Sequence, residues 1–191
     1  MIELPEGPRT ASVTYLDRGF LQRGGETTRI NKKGSRHMIS FSYGPFTVEK
    51  GNDFVSLLLA AKSEGVRVSY PLQEYQGAAG SPVVDGAGQT GTTLAIKGLN
   101  VGYYCRPRFW LSIVDQTGRH YLHNVKTGGI VGADGLISIV ITPELRHPFL
   151  DAAVIHLEKP MVEGWIDGEE WSWSLSVDRV IPIQFTLEEA K

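Results

Sequence analysis

The sequence predicts a mainly β protein with one helix, in which a smaller β-barrel interrupts the sheet of a first domain. Three observations carry this reading. Apolar and polar residues alternate strictly over several runs, which is the period of a half-buried strand. One stretch, at about 50–64, carries apolar residues at helical spacing. Between 83 and 164 the texture changes to short strands about ten residues apart, flanked by the turn-rich stretches Gly77–Pro82 and Gly164–Gly168.

In chain order, residues 1–36 are polar, with Arg23-Gly24-Gly25 and Lys32-Lys33-Gly34 as breakers, and read as an arm with a strand or two. From His37 to Tyr43 the alternation puts Ile39, Phe41 and Tyr43 on one face and Met38, Ser40 and Ser42 on the other. The helix follows. Phe54, Leu57, Leu58 and Ala61 recur at i, i+3, i+4 and i+7 as its core stripe, Asn52 or Asp53 can cap it, and Gly65 can end it. Val66, Val68, Tyr70 and Leu72 form a further strand that Pro71 confines to an edge or an end.

Beyond the Gly77–Pro82 linker the strand candidates are Val83–Asp85, Thr92–Leu99, Phe109–Val114, Arg119–Val125, Leu136–Thr142 and Ala153–Leu157. Asp115-Gln116-Thr117-Gly118 makes a hairpin loop between the third and fourth. So many short strands suggest a small closed barrel such as an OB-fold, or a small sandwich. After Gly164, Trp171, Trp173, Leu175 and Val177 alternate with serines, and Ile181, Ile183, Phe185 and Leu187 repeat the pattern. These last strands need a sheet to join, and that of residues 37–72 is the nearest. Residues 83–164 therefore read as an insertion into a domain made of residues 1–82 and 165–191.

Nineteen basic residues against 21 acidic ones leave a net charge of −2, with no general electrostatic reason to bind nucleic acid or an anionic membrane. The first eight residues lack the basic start and apolar run of a signal peptide, and Leu57-Leu58-Leu59-Ala60-Ala61 is far too short to span a bilayer. The expected compartment is cytoplasm-like. The single Cys105 offers neither an internal disulfide nor metal-ligand spacing.

The motifs that could carry chemistry fail on context. Gly86-Ala87-Gly88-Gln89-Thr90-Gly91 matches G-x-G-x-x-G, but a dinucleotide site needs a helix after it, and Thr92-Thr93-Leu94-Ala95-Ile96 is β-branched and alternating. His120 and His123, three apart in a strand, face opposite ways and cannot chelate together. The pairs Glu169-Glu170 and Glu188-Glu189 read as solvated strand ends. No catalytic, cofactor or metal residue is expected, and the chain is not expected to be an enzyme. Trp171 and Trp173 share an apolar strand face and are expected in the core. Trp165 stands outside that pattern and is the candidate for an interface or a domain junction.

The order of elements resembles the distal tail proteins of long-tailed bacteriophages, in the version whose inserted domain is an OB-fold. The resemblance rests on the helix and strand ending in Tyr70-Pro71-Leu72, on Val84 to Leu94, on Arg119 to Val125, on Ile139 to Arg146, and on Glu170-Trp171-Ser172 through Phe185-Thr186-Leu187-Glu188. It covers residues 40–191. It implies a β-sandwich "belt" domain forming a homohexameric ring around a channel, with the inserted domain projecting outward. It also implies a structural virion protein at the tail tip, joining the tail tube protein to the baseplate hub, with phage DNA passing through the ring. The family has no catalytic residues to carry over. The alternative is a carbohydrate-binding module for host glycans, since OB-type barrels can hold oligosaccharides and the insert offers Tyr103, Tyr104, Phe109, Trp110 and Tyr121.

Overall fold

Strict alternation along the chain becomes strand after strand. The structure, a computed structural model, describes residues 1–30, 32–168, 172–173 and 180–190. In chain order they form β1 (Ile2–Glu3), β2 (Thr10–Leu16), β3 (Phe20–Arg23), β4 (Thr27–Ile30), β5 (Arg36–Thr47), α1 (Val48–Glu64) and β6 (Val66–Ser69). There follow β7 (Gly80–Val84), β8 (Gly91–Leu99), β9 (Tyr104–Cys105), β10 (Trp110–Val114), β11 (His120–Thr127) and β12 (Gly129–Ile130). The last are β13 (Ile137–Leu145), β14 (Ile155–His156), β15 (Met161–Ile166) and β16 (Val180–Glu189). The protein is mainly β, with one helix among the described residues and a nearly closed six-stranded barrel.

The chain divides into two compact units. The first comprises Met1–Tyr15, His37–Pro71 and Val162–Ala190; the second takes in Leu16–Arg36 and Leu72–Met161. The barrel's unit thus includes Leu72–Pro82 and Leu16–Arg36, which the sequence reading grouped with the first domain. Gly80–Pro82, read as linker, are already strand.

In the first unit a six-stranded sheet runs in the order β1-β6-β15-β16-β5-β2. β16 and β5 are antiparallel, with Ile183 opposite Tyr43, Phe185 opposite Phe41 and Leu187 opposite Ile39. All six side chains are buried, as the alternation predicts. Helix α1 packs against this core. The Phe54 ring lies 4.7 Å from that of Tyr43 and 5.1 Å from that of Phe46. An added Cβ on Gly51 would stand 2.8 Å from Ile181 Cδ1, so glycine lets helix and sheet approach here.

Two details of the helix differ from expectation. It starts at Val48, with Thr47 at the N-cap position in extended conformation and making no side-chain cap bond, so Asn52 and Asp53 are exposed helix residues and cap nothing. The reason is register: Thr47 is still paired with Val180, and the helix begins where that pairing ends. The buried stripe is Gly51, Phe54, Val55, Leu58 and Ala61, with Leu57 only half-buried on its flank. Gly65 does end the helix, at φ 79°, and its N–H bonds to the Ala61 carbonyl.

β15 was not expected, because Gly164 reads as a breaker. It lies between β6 and β16, and an added Cβ at Gly164 would fall on the Glu188 carbonyl of the neighbouring strand. Gly164 is therefore a point of close backbone approach inside a strand. The expected Trp171–Val177 strand lies outside the described residues except for Ser172 and Trp173, and Trp173 is exposed. Glu169-Glu170 also lie outside them.

In the second unit the barrel order is β14-β10-β11-β13-β8-β7. A bridge between Val83 and Val154, with Val84 N–H donating to Ala153 O at 2.9 Å, brings the ends together. Leu94, Ile96, Leu111, Ile113, Ile139, Ile141 and Phe149 fill the interior. The barrel is antiparallel throughout and has one strand more than the five of an OB-fold. β9 pairs with β12, and β3 with β4, as separate two-stranded ribbons.

The β10–β11 turn falls at Asp115–Gly118 as expected. One carboxylate oxygen of Asp115 accepts the Thr117 N–H at 2.8 Å, the Thr117 hydroxyl at 2.7 Å and the Arg119 N–H at 3.0 Å. Burial works to raise this carboxyl, but the hydrogen bonds from Arg119 and Thr117 outweigh it and hold the pKa below the ordinary value. A folded pKa below the unfolded one stabilises fully above about pH 4, and that stability is lost as pH falls through the lower folded value. Urea midpoints at about pH 6 and about pH 2.5 should therefore fall further for the native chain than for Asp115→Asn. Equal falls for the two would remove Asp115 as a source of acid sensitivity.

Candidate interface

The sheet face of the first unit opposite its buried core presents Met38, Ser40 and Ser42 from β5 and Gln184, Thr186 and Glu188 from β16. The Ser40 and Thr186 hydroxyls, directly opposite in register, bond at 2.8 Å. A groove of about 630 Å³ opens on this face, with Ser12, Ser42, Asp167 and Gln184 along its walls. Trp165 stands on β15 beside Glu188, its register partner, and is 47% exposed. Asp167, two residues on, is anchored by its N–H to Thr186 O at 2.8 Å. Register thus places an indole and two carboxylates on one face among hydroxyl side chains. Along the sheet's edge, β2 leaves Val13 and Tyr15 exposed.

Behind this face a buried histidine–glutamate pair corrects the sequence reading. Glu189 was expected at a solvated strand end, yet it is 2% exposed and bonds His37, whose backbone N–H donates at 3.1 Å and whose Nδ1 lies 3.3 Å away. The sequence held the signal. Glu189 continues the buried series Ile183, Phe185, Leu187, and His37 continues Ile39, Phe41, Tyr43, so one register places both inside. Glu163, buried on β15, bonds Arg67, which also reaches Glu3 at 3.6 Å.

The remaining sequence candidates scatter. Of the core-helix residues, Phe54, Leu58 and Ala61 are buried, and they build the core, not a site. The glycine-rich loop joins β7 to β8, and a strand follows it as expected. Its Gly86 N–H is taken by Asp151 at 2.8 Å and its Gly88 N–H by Phe149 O at 2.9 Å, while the Gln89 side chain bonds Asp85 O and Ala95 N at 2.6 and 2.7 Å. Those amides are not offered to a phosphate. His123 is buried with Nδ1 2.9 Å from Pro143 O, whereas His120 stacks on His156 at 5.3 Å. Among the described residues no group of three or more His, Cys, Asp or Glu is placed to hold a metal ion. Burial pushes the Cys105 thiol up to about 11, away from the reactive thiolate.

The aromatics named for a glycan site are divided between the core and the surface. Phe109 and Tyr121 belong to the barrel core, the Tyr103 hydroxyl donates to Gln76 O at 2.6 Å, and Tyr104 is exposed beneath Arg106. Among the described residues no helix is long and apolar enough to cross a membrane. No family model matches the chain, and no curated protein does.

Proposed function

We propose that the chain is a structural protein of a phage tail tip, of the distal-tail-protein kind, whose sheet-and-helix unit assembles into a hexameric ring. In this reading the ring joins the tail tube protein to the baseplate hub, the barrel decorates it, and no chemical step is performed. One observation carries the reading. β6, the last strand of the first unit before the barrel, lies directly beside β15, the first strand after it. A sheet that takes up again where it left off is the arrangement of a domain bearing an inserted module, which the resemblance implies for the ring domain. Support comes from the outermost strand β2, whose exposed Val13 and Tyr15 suit a covered position in an assembly.

Native mass spectrometry at micromolar concentration tests this. The expected mass is six times the 21.0 kDa of one chain, with six-fold rings in electron micrographs. A chain that stays monomeric, and remains monomeric inside imaged particles, overturns the reading.

A further inference from the structure

The β3–β4 ribbon lies in a strongly basic segment of the chain. Residues 16–36 hold six basic side chains against two acidic ones, a net charge of +4, while the rest of the chain, with 13 basic and 19 acidic residues, carries −6. The ribbon is anchored by its own contacts. Asp17 bonds Arg29 and accepts the Gly19 N–H at 2.8 Å, and Lys32 sits 5.0 Å over the Phe20 ring. In its register Leu21 faces Arg29 and Arg23 faces Thr27, so alternation gathers Leu21, Arg23, Thr27 and Arg29 on one face. Leu21 is 50% exposed there. An exposed leucine flanked by an arginine on one ribbon face is a surface suited to an acidic partner that also offers apolar area.

We propose that this face docks on a second copy of the chain, at the patch formed by Trp165, Glu188 and Asp167. The complementarity is both electrostatic and chemical. Arg23 meets two carboxylates, and its guanidinium can stack on the indole while Leu21 covers its edge. The inference rests on the self-assembly proposed above and names the residues that carry it.

The test uses the full chain in sedimentation velocity and native mass spectrometry. Arg23→Glu and Glu188→Lys each weaken association about tenfold or more, and the two together recover it, because the charges are exchanged across the contact. Raising salt from about 0.1 M to about 0.5 M weakens the native assembly as well. Circular dichroism of each variant should be unchanged, since Arg23 is exposed and Glu188 lies on the outer face. Rings that form equally well in both single variants overturn the docking and leave the ring reading standing. A native chain that is monomeric at every concentration overturns the docking, and the ring reading then stands or falls on the imaged particles. Tight binding of duplex DNA that is lost in Arg23→Glu, with self-association intact, makes the occupant a nucleic acid and overturns the proposal.

Discussion

Replacing Gly164 by alanine should lower stability by about 3 kcal/mol and the melting temperature by roughly 6–12 °C. The added Cβ would overlap the Glu188 carbonyl oxygen and stand 2.7 Å from its carbon and 2.9 Å from Glu189 Cα. All three are backbone atoms of β16, the strand that also carries Phe185 and Leu187 into the core. A flexible side chain could swing away from such a contact; a paired strand can only be pushed off its neighbours. Gly164→Val should leave little folded protein, because a domain holds only about 5–15 kcal/mol in all. Gly24→Ala is the control. It has nothing within 4 Å of its added Cβ, and its melting temperature should stay within about 1 °C of the native value. Thermal melting of the three variants decides the matter, and a Gly164→Ala protein as stable as the control would show that the strands can separate at no cost.

Gln76→Ala should cost about 3–5 kcal/mol and loosen the barrel at β10. The Gln76 amide is buried and bonded through both its nitrogen and its oxygen. Its Nε2 donates to Trp110 O at 2.7 Å and Leu157 O at 2.5 Å, and its Oε1 accepts the Trp110 N–H at 2.7 Å. Truncation removes one side chain and leaves three backbone groups in place without it, each costing about 1–3 kcal/mol if no water replaces the amide. Gln76→Glu should not rescue, because a carboxylate can accept from Trp110 N–H but faces two carbonyl oxygens with no proton to give. Hydrogen exchange gives the sharpest reading. Amides of Trp110–Val114 should lose protection while those of β5 and β16 keep theirs. Uniform loss along the whole chain would mean that Gln76 holds more than the barrel.

Both residues show where sequence reasoning stops. A glycine in the middle of Met161–Ile166 looks like a break, and a glutamine after Tyr75 looks like loop polarity, because each role is set by atoms far away in sequence. The acids divide in the same way. Glu188 and Glu189 are chemically identical neighbours, yet one lies on the outer face and the other is buried against His37, 152 residues earlier. Here alternation already held the answer, and only the assumption that paired acids are solvated hid it.

By itself the sequence determined what depends on near neighbours. Strict alternation set which faces of β5 and β16 are buried. Helical spacing set the helix with Phe54, Leu58 and Ala61 inside, and the strand-like residues after Gly91 set the glycine-rich loop as a turn between strands. Tertiary structure alone decided the insertion of β15 between β6 and β16, the start of the helix at Val48, the exchange of Leu57 for Val55 in its stripe, and the grouping of Leu16–Arg36 with the barrel's unit. The physical reason is common to all four. Periodicity records which side of an element is apolar, whereas pairing and packing are settled by which distant backbone and side chain fill the space opposite, and no local pattern encodes that distance.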